Sequence, residues 1–373
     1  VEPLVNLRLQ VLSPVYPPAL GGIETLTEGI VTRWTGPVEV VTLAEPQAAD
    51  WDAERPYTVH RVRNQPRGGR RSIARLTVHS LHVARAFRPD IVLSMHVRCG
   101  YAAALIRSVT GAAWAQYYHA KEVPTWPRSA RWCVRGADLG IAVSRYTRGL
   151  VEAVGVPTAP LTVIPPGVRL SPPLPGARAR RPTILTVSRL ADAYKGHDVM
   201  LAALPAVIQR LPDVRWVVVG GGERLDWLRT EVVARGLSRH VELRGAVDES
   251  TRNALLAEAH IFALPSRVAD HGRSGEGFGI VYVEAAAAGL PVVAGRCGGA
   301  TDAVDDGVTG LLVDPTDPAA VAGALITLLE RDELRGRMAT AGPDWSRKFD
   351  WSRVSADVQA ALQAAAARHT RAA

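Results

Sequence analysis

The chain has 373 residues, of which 47% are hydrophobic and 21% charged, a globular composition with length for two or three domains. Its net charge of +8 and pI near 9.8 suggest an anionic partner: a phosphorylated small molecule, an anionic membrane or nucleic acid. No apolar run is long enough to span a bilayer, because the nearest, residues 279–295, carries Glu284, and Cys99, Cys133 and Cys297 are too scattered for a disulfide framework or a zinc cluster.

Residues 1–14 show no apolar region behind a basic one, so no secretory signal is expected; the missing Met is in keeping with a trimmed start. From there short apolar runs alternate with longer amphipathic ones. Residues 7–12, 38–43, 91–95, 113–118, 139–143 and 161–164 read as buried strands, and 24–34, 73–87 and 146–154 as helices. That alternation implies parallel βαβ units. Prolines 165, 166, 172, 173, 175 and 182 then break the rhythm with linker composition. After them come expected strands at 183–187, 214–219, 240–243, 261–264, 291–294 and 310–313, with helices at 197–210, 224–235, 249–259, 280–288 and 319–330. A helix near 352–368 closes the chain.

The expected organisation is therefore α/β: a first domain over residues 1–167, a linker over 168–182 and a second domain over 183–345. Residues 346–373 form a final helix packing back towards the first domain. Ligands of open parallel sheets bind at the carboxyl ends of the strands, so a central cleft between the two domains is the expected site.

The second half carries most of the chemistry. Arg189 directly follows a strand and Lys195 precedes the next helix, a placement that suits two cations to a diphosphate. The plainer alternative is a pair of solvated loop charges. Ser274, Gly275, Glu276, Gly277, Phe278, Gly279 and Ile280 then enter an apolar helix. Its glycines let backbone amides approach a ligand, and a helix N-terminus favours an anion. Glu276 and Glu284 are spaced to accept hydrogen bonds from sugar hydroxyls; alternatively Glu276 caps the helix and Glu284 is solvated. Every other residue of 280–293 is apolar, Gly, Pro or Tyr, so Glu284 needs a partner.

The pattern Glu276-x7-Glu284, with Gly277, Phe278 and Gly279 inside it, resembles the signature of glycosyltransferase family four, retaining nucleotide-sugar enzymes of the GT-B fold. Arg189 with Lys195, Gly21 with Gly22, Gly298 with Gly299, and the run Val143 to Thr147 fit the same pattern in order over nearly the whole chain. Residues 261–299 are especially similar to actinobacterial phosphatidylinositol-mannoside mannosyltransferases. The resemblance implies two Rossmann-like domains, acceptor-binding then donor-binding, and a hexosyltransferase, possible mannosyl specificity included. By the same likeness, Arg189 and Lys195 hold the donor diphosphate, and Glu276 with the amides of Gly277, Phe278 and Gly279 binds the transferred sugar. Glu284 binds the ribose. Gly21 and Gly22 form a loop closing on the diphosphate or acceptor, and His119 contacts the donor sugar.

No cofactor beyond a GDP- or UDP-linked sugar as co-substrate is implied, and no metal, since Asp302, Asp305, Asp306 and Asp314 read as turn residues. Donor base and sugar stay open, as does the acceptor, lipid-linked or a soluble natural product. A sugar-nucleotide epimerase on the same scaffold is the alternative, though it needs acid–base pairs for proton transfer at carbon. An NAD-dependent oxidoreductase is disfavoured, because Gly220, Gly221 and Gly222 lack the third glycine of the dinucleotide fingerprint. A nucleic-acid-binding module is disfavoured for want of a motif. Finally, eight arginines and no acid lie between Arg61 and Arg88 (61, 63, 67, 70, 71, 75, 85 and 88). They read either as a solvated face or as a surface for an anionic acceptor or membrane, and place the expected protein in the cytoplasm or at the inner membrane face.

Overall fold

The computed structural model describes residues 6–19, 21–64, 68–170 and 178–372; Arg67 and prolines 172, 173 and 175 lie outside them. The chain divides into two compact units, Val1–Gly167 with Trp351–Ala373, and Val168–Asp350.

The first unit is a parallel sheet of seven strands: β1 (Leu9–Leu12), β2 (Val38–Leu43), β3 (Thr58–Val62), β4 (Ile91–Ser94), β5 (Ala113–Tyr118), β6 (Leu139–Ala142) and β7 (Leu161–Val163). Their order is β3-β2-β1-β4-β5-β6-β7. β1, β4, β5 and β6 are buried along their whole length, as strands covered by helices on both faces must be. β3 is the exception. It is an edge strand, Thr-Val-His-Arg-Val, too polar to stand out among apolar runs. Helix Gly100–Thr110, between β4 and β5, also goes beyond the expected elements. The last helix, Trp351–Ala372, packs on β5, β6 and helix Gly22–Val31 of this unit.

The second unit has six parallel strands: β8 (Thr183–Val187), β9 (Arg215–Val219), β10 (Val241–Gly245), β11 (Ile261–Leu264), β12 (Val292–Gly295) and β13 (Gly310–Val313). Their order is β10-β9-β8-β11-β12-β13. Its core joins Ile184, Trp216, Val218, Ile261, Ala263 and Val293 of the sheet to helices His197–Arg210 and Pro318–Glu330. Helix Asp332–Ser346, polar and containing Pro343, and the short helix Ala300–Ala303 are elements here that the apolar pattern does not announce.

Both sheets change direction of winding once, between β1 and β4 and between β8 and β11. At such a switch point the loops leaving neighbouring strands diverge to opposite faces and open a crevice at the carboxyl edge. The loops after β8 and β11 carry Arg189, Lys195 and Glu276.

Candidate active site

The loop after β8 is built to hold its shape. Ser188 N–H donates to the Val219 carbonyl at 3.0 Å and Leu190 N–H to the Gly221 carbonyl at 2.9 Å. Gly220 has φ +139°, and a Cβ there would collide with the Ser188 carbonyl oxygen. The three glycines that fail as a dinucleotide fingerprint therefore buttress the turn bearing Arg189. Beneath it, Ser188 Oγ and His197 Nε2 lie 3.0 Å apart. Burial first, then the nearby Lys195 and Arg224 charges, push the His197 pKa down to about 4, so the ring is neutral at pH 7.

Lys195 sits on a short turn between this loop and helix His197–Arg210. Its Nζ donates to Glu276 Oε2 at 2.6 Å, with the side chains only 11% and 14% exposed. Burial is the largest influence and opposes the Lys195 charge, but the charge and hydrogen bond of Glu276, with Tyr194 beside them, together leave its pKa raised. Arg189 is exposed and close enough to Lys195 to act on it electrostatically. Among the described residues its guanidinium makes no hydrogen bond or ion pair. The structure thus brings Arg189, Lys195 and Glu276 together as two cations and one carboxylate.

The segment bearing Glu276, after β11, is held by the loop that leaves the neighbouring strand β12. Gly299 N–H donates to the Glu276 carbonyl at 2.8 Å, and a Cβ on Gly299 would collide with the Gly277 carbonyl oxygen. Glu276 does not cap the following helix: Gly279, at φ +94°, occupies the cap of Ile280–Ala287 with no side-chain hydrogen bond. The Phe278 ring is buried against Phe349, so its side chain anchors the loop and only its backbone is offered to a ligand.

Glu284 is 19% exposed and is not a solvated helix residue. Arg252 Nη1, from helix Glu249–Glu258, lies 3.2 and 3.3 Å from its two carboxylate oxygens. Burial raises the Glu284 pKa, and Arg252 offsets only part of the rise. Two stabilising contacts here have no signal in the pattern of the sequence. One is Arg252; the other is the paired contact of Arg267 Nη1 and Nη2 with Asp198 at 2.9 and 2.8 Å, which ties the loop after β11 to helix His197–Arg210.

In the first unit, His119 follows β5. Its Nε2–H donates to the Met95 carbonyl at 2.8 Å, which leaves Nδ1 as an acceptor. Burial pushes its pKa down to about 4 against the opposing pull of the Met95 carbonyl, so it too is neutral at pH 7. Its backbone N–H donates to Glu122 Oε1 at 2.6 Å, and burial lifts that carboxyl to about 7. Gly21 and Gly22 open helix Gly22–Val31; a Cβ on Gly22 would meet open space, so packing alone does not demand glycine there.

One of the eight arginines changes role. Arg61 is half-buried against Asp52, its Nε and Nη2 each 2.8 Å from the carboxylate, and also donates to the Pro17 carbonyl. It braces the loop after β1 and belongs to no charged surface. Arg70, Arg71, Arg75 and Arg85, on helix Arg70–Phe87, are exposed while Leu76, Val83 and Phe87 of that helix are buried.

Comparisons with known proteins give the family and the fold. A family model described as Glycosyltransferase Family 4 matches residues 20–172, and one described as Glycosyl transferases group 1 matches residues 181–331. The GDP-mannose-dependent alpha-(1-6)-phosphatidylinositol monomannoside mannosyltransferase of Mycobacterium tuberculosis is 32% identical over 378 residues, covering 94% of this chain and 96% of its own. The protein of that name from Mycolicibacterium smegmatis is 40% identical over 222 residues, 56% of this chain; the match spans 58% of that relative's length. Among solved structures, Anabaena HepE in complex with UDP and glucose has a TM-score of 0.78 at 22% identity, covering 95% of this chain and 98% of its own. Sucrose-phosphate synthase from Thermosynechococcus elongatus has a TM-score of 0.80 at 20% identity, covering 95% and 97%. These two likenesses show the fold, which is GT-B. The chain belongs to glycosyltransferase family 4.

Proposed function

We propose that the chain transfers mannose from GDP-mannose to a hydroxyl of an inositol-bearing phospholipid, with retention of configuration and without a metal ion. The observation that carries the reading is the Lys195–Glu276 pair at 2.6 Å beside Arg189, whose guanidinium is unpaired among the described residues, at the switch point of the second sheet. The donor and acceptor classes are supported by the mycobacterial relatives, whose names give GDP-mannose dependence and phosphatidylinositol monomannoside.

The chemistry follows from the inventory. Breaking the anomeric C–O bond leaves its electron pair on the diphosphate, where Arg189 and Lys195 stabilise the charge without reorganising. Glu276 accepts from hydroxyls of the sugar, the backbone around Gly277 and Gly279 lines the same subsite, and Glu284 accepts from the ribose. The acceptor oxygen bonds to the anomeric carbon on the face the phosphate leaves, and its proton passes to the departing phosphate oxygen. His119 contributes Nδ1 as an acceptor for a sugar hydroxyl, and open space at Gly22 suits close approach of backbone to ligand.

Among the described residues no helix is long and apolar enough to cross a membrane. The exposed arginines of helix Arg70–Phe87 support peripheral contact with anionic lipid, where a phospholipid acceptor resides. The test is incubation with GDP-mannose and phosphatidylinositol vesicles in excess chelator. The proposal expects GDP and an α-mannosylated lipid; a β-linked product, or activity that requires added magnesium or manganese, contradicts it.

A further inference from the structure

We propose that Arg252 is a positioning residue that keeps Glu284 ionised and aimed as an acceptor for the ribose hydroxyls of the donor nucleotide. The proposal rests on the reading of Glu284 as the ribose-binding carboxylate and adds the group that makes a buried carboxylate serviceable there.

The geometry is specific. One nitrogen, Arg252 Nη1, is shared between both oxygens of Glu284 at 3.2 and 3.3 Å. These are long distances for a charge-assisted bond, and the arrangement forgoes the two-pronged fork that guanidinium and carboxylate form when each satisfies the other. An ionised carboxylate has about four acceptor positions, so a shared contact from one nitrogen leaves it room for a pair of vicinal hydroxyls. Arg252 is 27% exposed, and its Nε is buried without a partner. Its hold on Glu284 is therefore electrostatic compensation with capacity to spare.

That compensation is needed. Helix Ile280–Ala287 presents Glu284 from an otherwise apolar run, and burial raises the pKa of its carboxyl. Two charges act on it, both from helix Glu249–Glu258: Arg252 favours ionisation, and Glu249 opposes it. Glu249 is itself engaged by Arg169 at 3.4 Å. Among the described residues no ionisable side chain from helix Asp332–Ser346, helix Ala300–Ala303 or β12 pairs with Glu284. Without Arg252 the carboxyl becomes a neutral acid at a higher pH, losing an acceptor and gaining a donor.

The experiment is calorimetric titration of the full chain with GDP and with 2′,3′-dideoxy-GDP at pH 8 and pH 6, for wild type, Arg252→Lys, Arg252→Gln, Arg252→Leu and Glu284→Gln. The ratio of the two affinities isolates the ribose and cancels titration of the diphosphate. The proposal expects this ratio to be nearly constant with pH in wild type and Arg252→Lys. In Arg252→Gln it falls severalfold from pH 8 to pH 6, as a growing share of the carboxyl becomes neutral. Arg252→Leu shows the same fall, so either neutral variant suffices if the other does not fold. A ratio as pH-independent in the neutral variants as in wild type overturns the role of Arg252. A wild-type ratio retained in Glu284→Gln instead overturns the ribose assignment of Glu284.

Discussion

Lys195 Nζ and Glu276 Oε2 are 2.6 Å apart although 81 residues separate them in the chain. Each comes from a loop leaving one of the two adjacent strands β8 and β11, so the switch point of the sheet makes the pair. Under the proposed function the two groups have different partners, diphosphate for the cation and sugar for the carboxylate. Glu276→Gln is expected to cut turnover of the nucleotide sugar while leaving affinity for the bare nucleoside diphosphate within about threefold, because a neutral amide retains an acceptor and frees Lys195. Steady-state kinetics beside calorimetry checks this; an equal loss for both ligands contradicts the sugar-binding role.

Arg189→Ala is expected to weaken binding of a nucleoside diphosphate by about 10- to 150-fold, corresponding to about 1.5–3 kcal/mol for a hydrogen bond to a charged group. Its side chain is exposed and unpaired among the described residues, so the melting temperature should not move. A variant that melts earlier yet binds normally contradicts the assignment.

His119 makes a prediction about stability. Its folded pKa, about 4, lies below the ordinary value of 6.5. Between those values the unfolded chain binds a proton that the folded chain does not, so this contribution is complete above pH 6.5 and is lost as pH falls towards 4. Each such histidine adds about 1.4 kcal/mol per pH unit to the slope. His96, pushed by burial to about 3, and His197, at about 4, act in the same direction. Glu122, raised to about 7, acts oppositely, since its folded carboxyl holds a proton that the unfolded one has released. Denaturant titrations from pH 7 to pH 4.5 should therefore show His119→Gln with a shallower slope by about one proton; an unchanged slope contradicts a buried neutral His119.

Co-sedimentation with vesicles of graded anionic lipid tests the basic helix. Wild type is expected to bind at low salt, and the variant with Arg70, Arg71, Arg75 and Arg85 changed to Ser to lose most of that binding. Each cation near the surface contributes about 1 kcal/mol, screened by salt. Arg61→Ser should instead destabilise the fold, because it breaks the contact with Asp52. Vesicle binding untouched by the fourfold change places the contact elsewhere.

The second sheet was legible in the sequence because parallel strands buried on both faces are written as continuous apolar runs, as in Thr183–Val187 and Ile261–Leu264. β3 was not, since an edge strand has one side free to be polar. Helix Asp332–Ser346 escaped because its glycines and Pro343 interrupt the apolar period. At the site, the need of Glu284 for a partner could be read from its apolar surroundings. That the partner is Arg252, on a helix formed 32 residues earlier, depends on how two helices pack and leaves no local trace. The same holds for Gly220: its φ and its approach to Ser188 are set by neighbouring strands, while the sequence shows only a glycine run.

The central claim is that the second unit binds a nucleoside diphosphate sugar through Arg189, Lys195, Glu276 and Glu284. Calorimetric titration of GDP-mannose into wild type and the Arg189→Ala, Lys195→Met double variant tests it most directly. The account predicts saturable binding by wild type, with heat absent or affinity reduced at least about a hundredfold in the double variant, since two charge-assisted contacts are lost. Equal binding by the two proteins, with the double variant still folded, contradicts the account.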